Sequence, residues 1–144
     1  MNLEEVLGGR LKGVYRFRVA PAGIAMPEAA ERPVVRVRTK TARDKLAFLK
    51  AAATALRFPD YFGQNWDAFY DCISGLAERS PDTLVIVFDD VSGFARVNPD
   101  EFGSAVDALR DAVEYWEGSD KRLIILLGVE EPLLATELVE VNVR

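Results

Sequence analysis

The sequence predicts an α/β domain, a small three-stranded parallel sheet flanked by helices. Residues 84–88 (LVIVF) and 123–127 (LIILL) are continuous apolar runs of strand length, as expected for parallel strands covered on both faces. The segments before and between them carry apolar residues at helical spacing, and strands alternating with helices favour right-handed parallel crossovers. The chain has 144 residues and is 49% hydrophobic, which suits one domain able to bury a core without staples.

Taken in order, residues 1–30 read as an N-terminal extension packing on the domain. Within it residues 14–19 (VYRFRV) alternate apolar and charged side chains, predicting a half-exposed strand or edge segment, and residues 21–27 read as loop. Residues 34–37 form the next strand. Thr41 and Asp44 then stand at capping-box-like spacing before a helix over about residues 42–56. That helix is expected to bury Leu46, Leu49, Ala53 and Leu56 and to expose Arg43, Lys45 and Lys50.

The stretch RFPDYFGQNWDAFYDCISGL, residues 57–76, looks least like ordinary scaffold. Pro59 biases Phe58 toward extended backbone, and Gly63 permits a left-handed turn. Asn65 is the expected N-cap of a helix with apolar positions Trp66, Phe69, Ile73 and Leu76, ended by Gly75. Opposite that stripe lie Asp67, Asp71 and Ser74, with Tyr70 beside them. Asp67 and Asp71 are four residues apart, so one carboxylate stands above the other. Like charges at this spacing destabilise an isolated helix by roughly 0.2–0.5 kcal/mol, and the helix dipole relieves only the first-turn acid.

Residues 80–82 read as a turn. Asp89-Asp90 ends the 84–88 strand, and residues 92–97 read as a short turn of helix. Asn98-Pro99-Asp100-Glu101 is a helix start, with a cap, a proline at the first position and acids in the first turn. Phe102, Ala105, Leu109, Ala112 and Trp116 keep helical period up to Gly118. Residues 129–144 form a C-terminal extension, whose alternating end at 138–143 predicts an edge strand alongside residues 14–19.

Charge is divided unevenly: residues 1–57 carry a net +7 and residues 58–144 a net −12. The acidic half should attract a basic protein and repel nucleic acid. The basic half leaves RNA binding as the lesser alternative. With no histidine, the commonest general base and zinc ligand is missing. Cys72 is the sole cysteine, lacks a histidine partner and reads as a small buried residue. Asp67 with Asp71 as a catalytic pair, or Asp89-Asp90 as a Mg²⁺ site, lacks a supporting second motif. The expectations are no enzyme activity, no cofactor and no metal. A single cysteine, no signal-peptide pattern and no membrane span point to a cytoplasmic protein, monomeric when free.

The run Pro59-Asp60-Tyr61-Phe62-Gly63-Gln64-Asn65-Trp66-Asp67-Ala68-Phe69-Tyr70-Asp71-Cys72-Ile73 resembles the central motif of the barstar family, the bacterial protein inhibitors of barnase-type ribonucleases. The resemblance covers residues 31–128 and implies the barstar-like three-layer fold. It implies further that Asp71 is the principal inhibitory acid, entering the enzyme's phosphate pocket, and that Asp67 pairs with an enzyme arginine. Tyr61 matches an interface aromatic and Tyr70 stands where the family has Trp. Gly63, Asn65 and Ser74 fall at contact or loop-shaping positions, and Asp111 at a peripheral acid. Gln64 replaces a family acid. The function implied is intracellular inhibition of a basic, guanyl-specific ribonuclease in an immunity or antitoxin role. The alternative is a barstar-like interaction module for a different basic toxin or partner.

Overall fold

The computed structural model describes residues 13–19, 34–59, 63–80, 82–130 and 138–140. Its apolar runs form five strands: β1 (Gly13–Arg18), β2 (Val34–Val37), β3 (Thr83–Phe88), β4 (Arg122–Val129) and β5 (Val139–Glu140). They lie in the order β2-β3-β4-β1-β5, and every neighbouring pair is parallel. The sheet therefore extends the expected three strands by one from each terminal segment. β5 is an edge strand paired with β1, as the alternation at residues 138–143 predicts. β1 itself is not an edge: it lies between β4 and β5, with Val14, Tyr15 and Phe17 buried. Of its charged residues Arg18 is exposed, whereas Arg16 is part-buried and donates to the Leu138 carbonyl at 2.9 Å.

Strand alternation divides the sheet residues between two clusters. Leu84, Ile86, Phe88, Leu123, Ile125 and Leu127 join the helices in the larger core. Val85, Val87, Ile124 and Leu126 join Tyr15 and Phe17 in a second cluster on the opposite face. β3 and β4 contribute to both, which is why their sequences run apolar without interruption. Gly128 permits a close approach there. A Cβ at that position would stand 2.2 Å from the Asp89 carbonyl oxygen and 2.8 Å from the Phe17 ring.

Among the described residues four helices pack on the larger core: α1 (Lys45–Leu56), α2 (Trp66–Gly75), α3 (Ser92–Val97) and α4 (Pro99–Gly118). α1 starts three residues later than residue 42, because Asp44 rather than Thr41 caps it, accepting from the Ala47 N–H at 2.8 Å. Its buried residues are Phe48, Leu49, Ala52 and Leu56, so the expected stripe is rotated. Phe48 claims the centre, stacking on Phe88 at 5.3 Å and on Phe94 at 4.9 Å, and Leu46 is left 46% exposed. An aromatic ring buries more apolar area than leucine and carries additional ring-pair energy. α1 ends with Arg57 left-handed at φ 55° and the Phe58 N–H returning to the Ala53 carbonyl.

α4 begins with Pro99 at its first position and Asp100 and Glu101 in its first turn. Asn98 does not cap it by side chain. Its Nδ2 donates instead to the Arg43 carbonyl at 2.7 Å, joining the start of α4 to the loop before α1.

Candidate functional site

α2 is held from its first residue. The Asn65 side chain accepts from the Ala68 N–H at 2.8 Å and its Nδ2 donates to the Gly63 carbonyl at 3.2 Å. Both ends of that amide are thus spent on shaping the turn and closing the helix. The left-handed residue of the turn is Gln64, at φ 52°, and not Gly63. At Gly63 space is tight: a Cβ there would sit 3.2 Å from the Asn65 amide nitrogen. At its other end α2 takes no left-handed cap. Gly75 keeps right-handed backbone at φ −65°, and the chain tightens into a 3₁₀ turn, Leu76–Arg79.

Two indoles lock α2 against α4. Trp66 Nε1 donates to Glu101 Oε2 at 2.7 Å, near the start of both helices, and Trp116 Nε1 donates to the Ile73 carbonyl at 3.0 Å, near their ends. Beneath, Phe69 meets Phe48, Phe58 and Trp66 edge-on. The apolar stripe expected from Trp66, Phe69, Ile73 and Leu76 packs inward, Trp66 only partly. A side chain on the outer face of α2 therefore projects from a fixed rod.

Between the two helices runs an open groove of about 780 Å³. α2 contributes Trp66, Asp67 and Tyr70. From α4 come Asp107, Asp111 and Glu114, with Tyr115 beside them and the small residues Ser104 and Ala108 leaving room between. Among the described residues none of the four acids makes a salt bridge, although Arg36, Arg96 and Arg18 pair with acids elsewhere. Lys45 Nζ stands over the Trp66 ring, 5.9 Å from its centre.

The residues singled out from sequence separate. Asp67, Tyr70 and Asp111 line the groove together. Asp71 is exposed on α2 one turn beyond Asp67, outside the groove lining. Gly63 and Asn65 are exposed where the helix begins. Ser74 is a correction: it is 4% exposed, turned inward rather than onto the acidic face, and its Oγ has no hydrogen-bond partner among the described residues. Position 74 follows directly on Ile73, which carries the inward stripe, and small side chains near the boundary of a stripe are easily drawn beneath it. Tyr61 lies outside the described residues, as do residues 21–27 and Pro81. Asp107, Glu114 and Tyr115 were missed. Asp107, Asp111 and Glu114 are spaced i, i+4, i+7, which marks one face of a helix and was there to be read.

Asp89 and Asp90 are buried, and donors of the fold meet their carboxylates. Asp89 accepts from Arg36 Nε and Nη2, from the Thr39 N–H at 2.8 Å and from Thr39 Oγ1. Asp90 Oδ1 accepts from the Ser92 N–H at 2.9 Å, which fixes the entry to α3. No group of three or more His, Cys, Asp or Glu that could hold a metal ion occurs among the described residues. Cys72 is half-buried; burial pushes its thiol up, Asp71 adds to the shift and Arg79 opposes it, so a thiolate is disfavoured. Among the described residues no helix is long and apolar enough to cross a membrane.

Exposed carboxylates thus stand on a braced helix beside an acidic, aromatic-edged groove. Comparison with known families places the chain: residues 32–128 match the family model of barstar, the barnase inhibitor, and the chain belongs to the barstar family. The match runs from just before β2 into β4 and holds α1 to α4 and the groove, while β1 and β5 lie outside it. No curated protein matches the chain.

Proposed function

We propose that the chain inhibits a barnase-type, guanyl-specific ribonuclease by stoichiometric binding, with α2 and the loop before it blocking the cationic active site. The observation that carries this reading is the pair Asp67 and Asp71, both exposed on a helix whose cap and two indole hydrogen bonds are fixed by the rest of the fold. A ribonuclease active site is built to hold phosphate with Arg and Lys. Carboxylates presented at set positions can take the place of phosphate oxygens and make charge-assisted hydrogen bonds with those groups. Because the rod is rigid before binding, little ordering cost opposes the contact. Opposite fields on the two surfaces also speed encounter. The cytoplasm, where a ribonuclease would threaten the cell's own RNA, is where such an inhibitor would act.

Calorimetry against a barnase-type ribonuclease tests the proposal. Binding with one-to-one stoichiometry that weakens with salt, blocks RNA cleavage and is lost in Asp71→Ala is the expected result. No binding to any barnase-type ribonuclease overturns it.

Tyr70 in place of the family Trp, and Gln64 in place of an acid, favour a second reading, a module that neutralises a different basic toxin. Paired pull-downs with wild type and Asp71→Ala separate the two. Recovery of non-nucleases alone, sensitive to Asp71, would establish the second.

A further inference from the structure

We infer that the exposed side of α1, with the loop that leads into it, binds the phosphate backbone of RNA. The inference goes beyond the inhibitor reading and is measured without a ribonuclease, so either can fail alone.

Residues 34–57, from β2 through α1, hold seven Arg and Lys and one acid, Asp44. That acid is already used, as the cap that accepts from the Ala47 N–H. Two of the cations are used as well: Arg36 pairs with Asp89 at 3.1 Å, and Lys45 stands over the Trp66 ring. The other five, Arg38, Lys40, Arg43, Lys50 and Arg57, are exposed and make no ion pair among the described residues. None of them lines the acidic groove. The chain has 23 acids against 18 cations, so the openness of these five does not come from a shortage of partners.

Their placement is held by the fold. Lys40 and Arg43 come together against α3, where a Cβ on Gly93 would stand 3.3 Å from Arg43 Cγ and 3.7 Å from the Lys40 carbonyl. Asn98 Nδ2 fixes the Arg43 carbonyl at 2.7 Å. Lys50 and Arg57 are seven residues apart, two turns of helix, and stand one above the other. At 1.5 Å per residue that is about 10 Å, three phosphate steps of a duplex strand at about 3.4 Å each. Arg57 adds an independent sign. It is the left-handed residue that closes α1, at φ 55°, a position that favours glycine and strains other residues. No hydrogen bond or ion pair of its side chain among the described residues offsets that strain.

Phosphate fits this face better than other anions do. Three of the five cations are arginine, whose guanidinium grips phosphate with two parallel hydrogen bonds. The exposed residues of 34–57 include no aromatic that could stack on a base, so the contact is to the backbone and carries no sequence preference. A lipid surface is the poorer match, because the apolar side of α1 lies in the core and leaves Leu46 alone to insert.

Fluorescence anisotropy of a labelled RNA duplex tests the inference. It is titrated with wild type, the triple variant Lys40→Gln, Arg43→Gln and Lys50→Gln, Arg57→Gly, and Asp71→Ala. Wild-type affinity is expected to fall about a hundredfold between about 50 and 200 mM salt, as for about four phosphate contacts, and to be the same for unrelated sequences. The triple variant is expected to lose most of the binding and to flatten the salt dependence. Arg57→Gly is expected to melt no lower than wild type, since glycine suits the left-handed cap, while binding RNA severalfold more weakly. Asp71→Ala is expected to bind RNA as wild type does. If the triple variant melts lower, Arg57→Gly decides alone. No binding at low salt, basic-face variants that bind as wild type does, or polyglutamate or phosphatidylserine vesicles bound as tightly as the duplex each overturn the inference and leave the inhibitor reading in place.

Discussion

The chain holds two aspartate pairs that look alike on paper and are opposite in the fold. Asp89 and Asp90, at the end of β3, are 4% and 6% exposed, and the protein's own donors occupy their carboxylates. Asp67 and Asp71, on α2, are exposed and make no ion pair or side-chain hydrogen bond among the described residues. The first pair ties β2, β3 and α3 together; the second leaves its acceptors open. An acid that can bind a partner is one whose lone pairs its own chain has not already filled. The two pairs should therefore fail differently when removed.

The largest effect is expected at Asp71. Under the proposed function, Asp71→Ala leaves a ribonuclease cation buried and unpaired in the complex, which costs about 2–5 kcal/mol of binding. Surface substitutions of this kind usually change stability by no more than about 0.5 kcal/mol, so urea unfolding should barely move. Titration calorimetry and denaturation on the same sample check both halves. A large stability loss would make Asp71 scaffold and erase the contrast with Asp89.

Asp89→Ala should show the reverse. It strips Arg36 and the Thr39 N–H of their acceptor in a largely buried place, and losing one partner of a buried pair costs about 3–5 kcal/mol. The Arg36 side chain is 36% exposed, so water can recover part of that, and about 2–3 kcal/mol is expected. The folded fraction should still bind a ribonuclease as wild type does. Loss of affinity without loss of stability would move Asp89 into the binding surface.

Asn65→Ala lies between the two cases. It removes an N-cap and the turn bond to Gly63, for about 1 kcal/mol of stability, and it loosens the start of the rod that positions Asp67. A small stability loss with a larger affinity loss would sharpen the claim that rigidity of α2 matters to binding.

How much of this could be read beforehand follows from the same distinction. The strands were legible because β3 and β4 face two cores and so run apolar throughout. The start of α2 was legible because Asn65 is a local cap, decided within four residues. What depended on distant partners was not. Which side of α1 faces inward turns on Phe48 meeting Phe88 and Phe94, and nothing near residue 48 announces it. Whether an aspartate is open or occupied turned on Arg36 and Thr39, some fifty residues from Asp89. The acids of the groove were half legible. Asp67 and Tyr70 were legible from the spacing of α2 and Asp111 from the family resemblance, whereas Asp107 and Glu114 needed the spacing along α4 to be read as a face and α2 to be set beside it.

The smallest expected effect probes the field around the open pair. Cys72 adjoins Asp71 in sequence, and its thiol is pushed above the ordinary 9.0 first by burial and then by the Asp71 carboxylate, with Arg79 opposing. The Asp71 carboxylate acts there as a neighbouring like charge that opposes thiolate formation. A group whose folded pKa is raised contributes stability that is complete below its unfolded value and is lost as pH rises through the folded one. For Cys72 that window opens near pH 9 and extends upward. Asp71→Ala removes one of the two raising causes, so thiolate should form at lower pH than in wild type, and the variant should lose less stability between neutral and alkaline pH. Ultraviolet titration of the thiolate at low salt reads the first, and urea unfolding across the same range reads the second. An unchanged thiol midpoint would mean that the Asp71 charge is already compensated within the chain, and the distinction between open and occupied aspartates would lose its electrostatic basis.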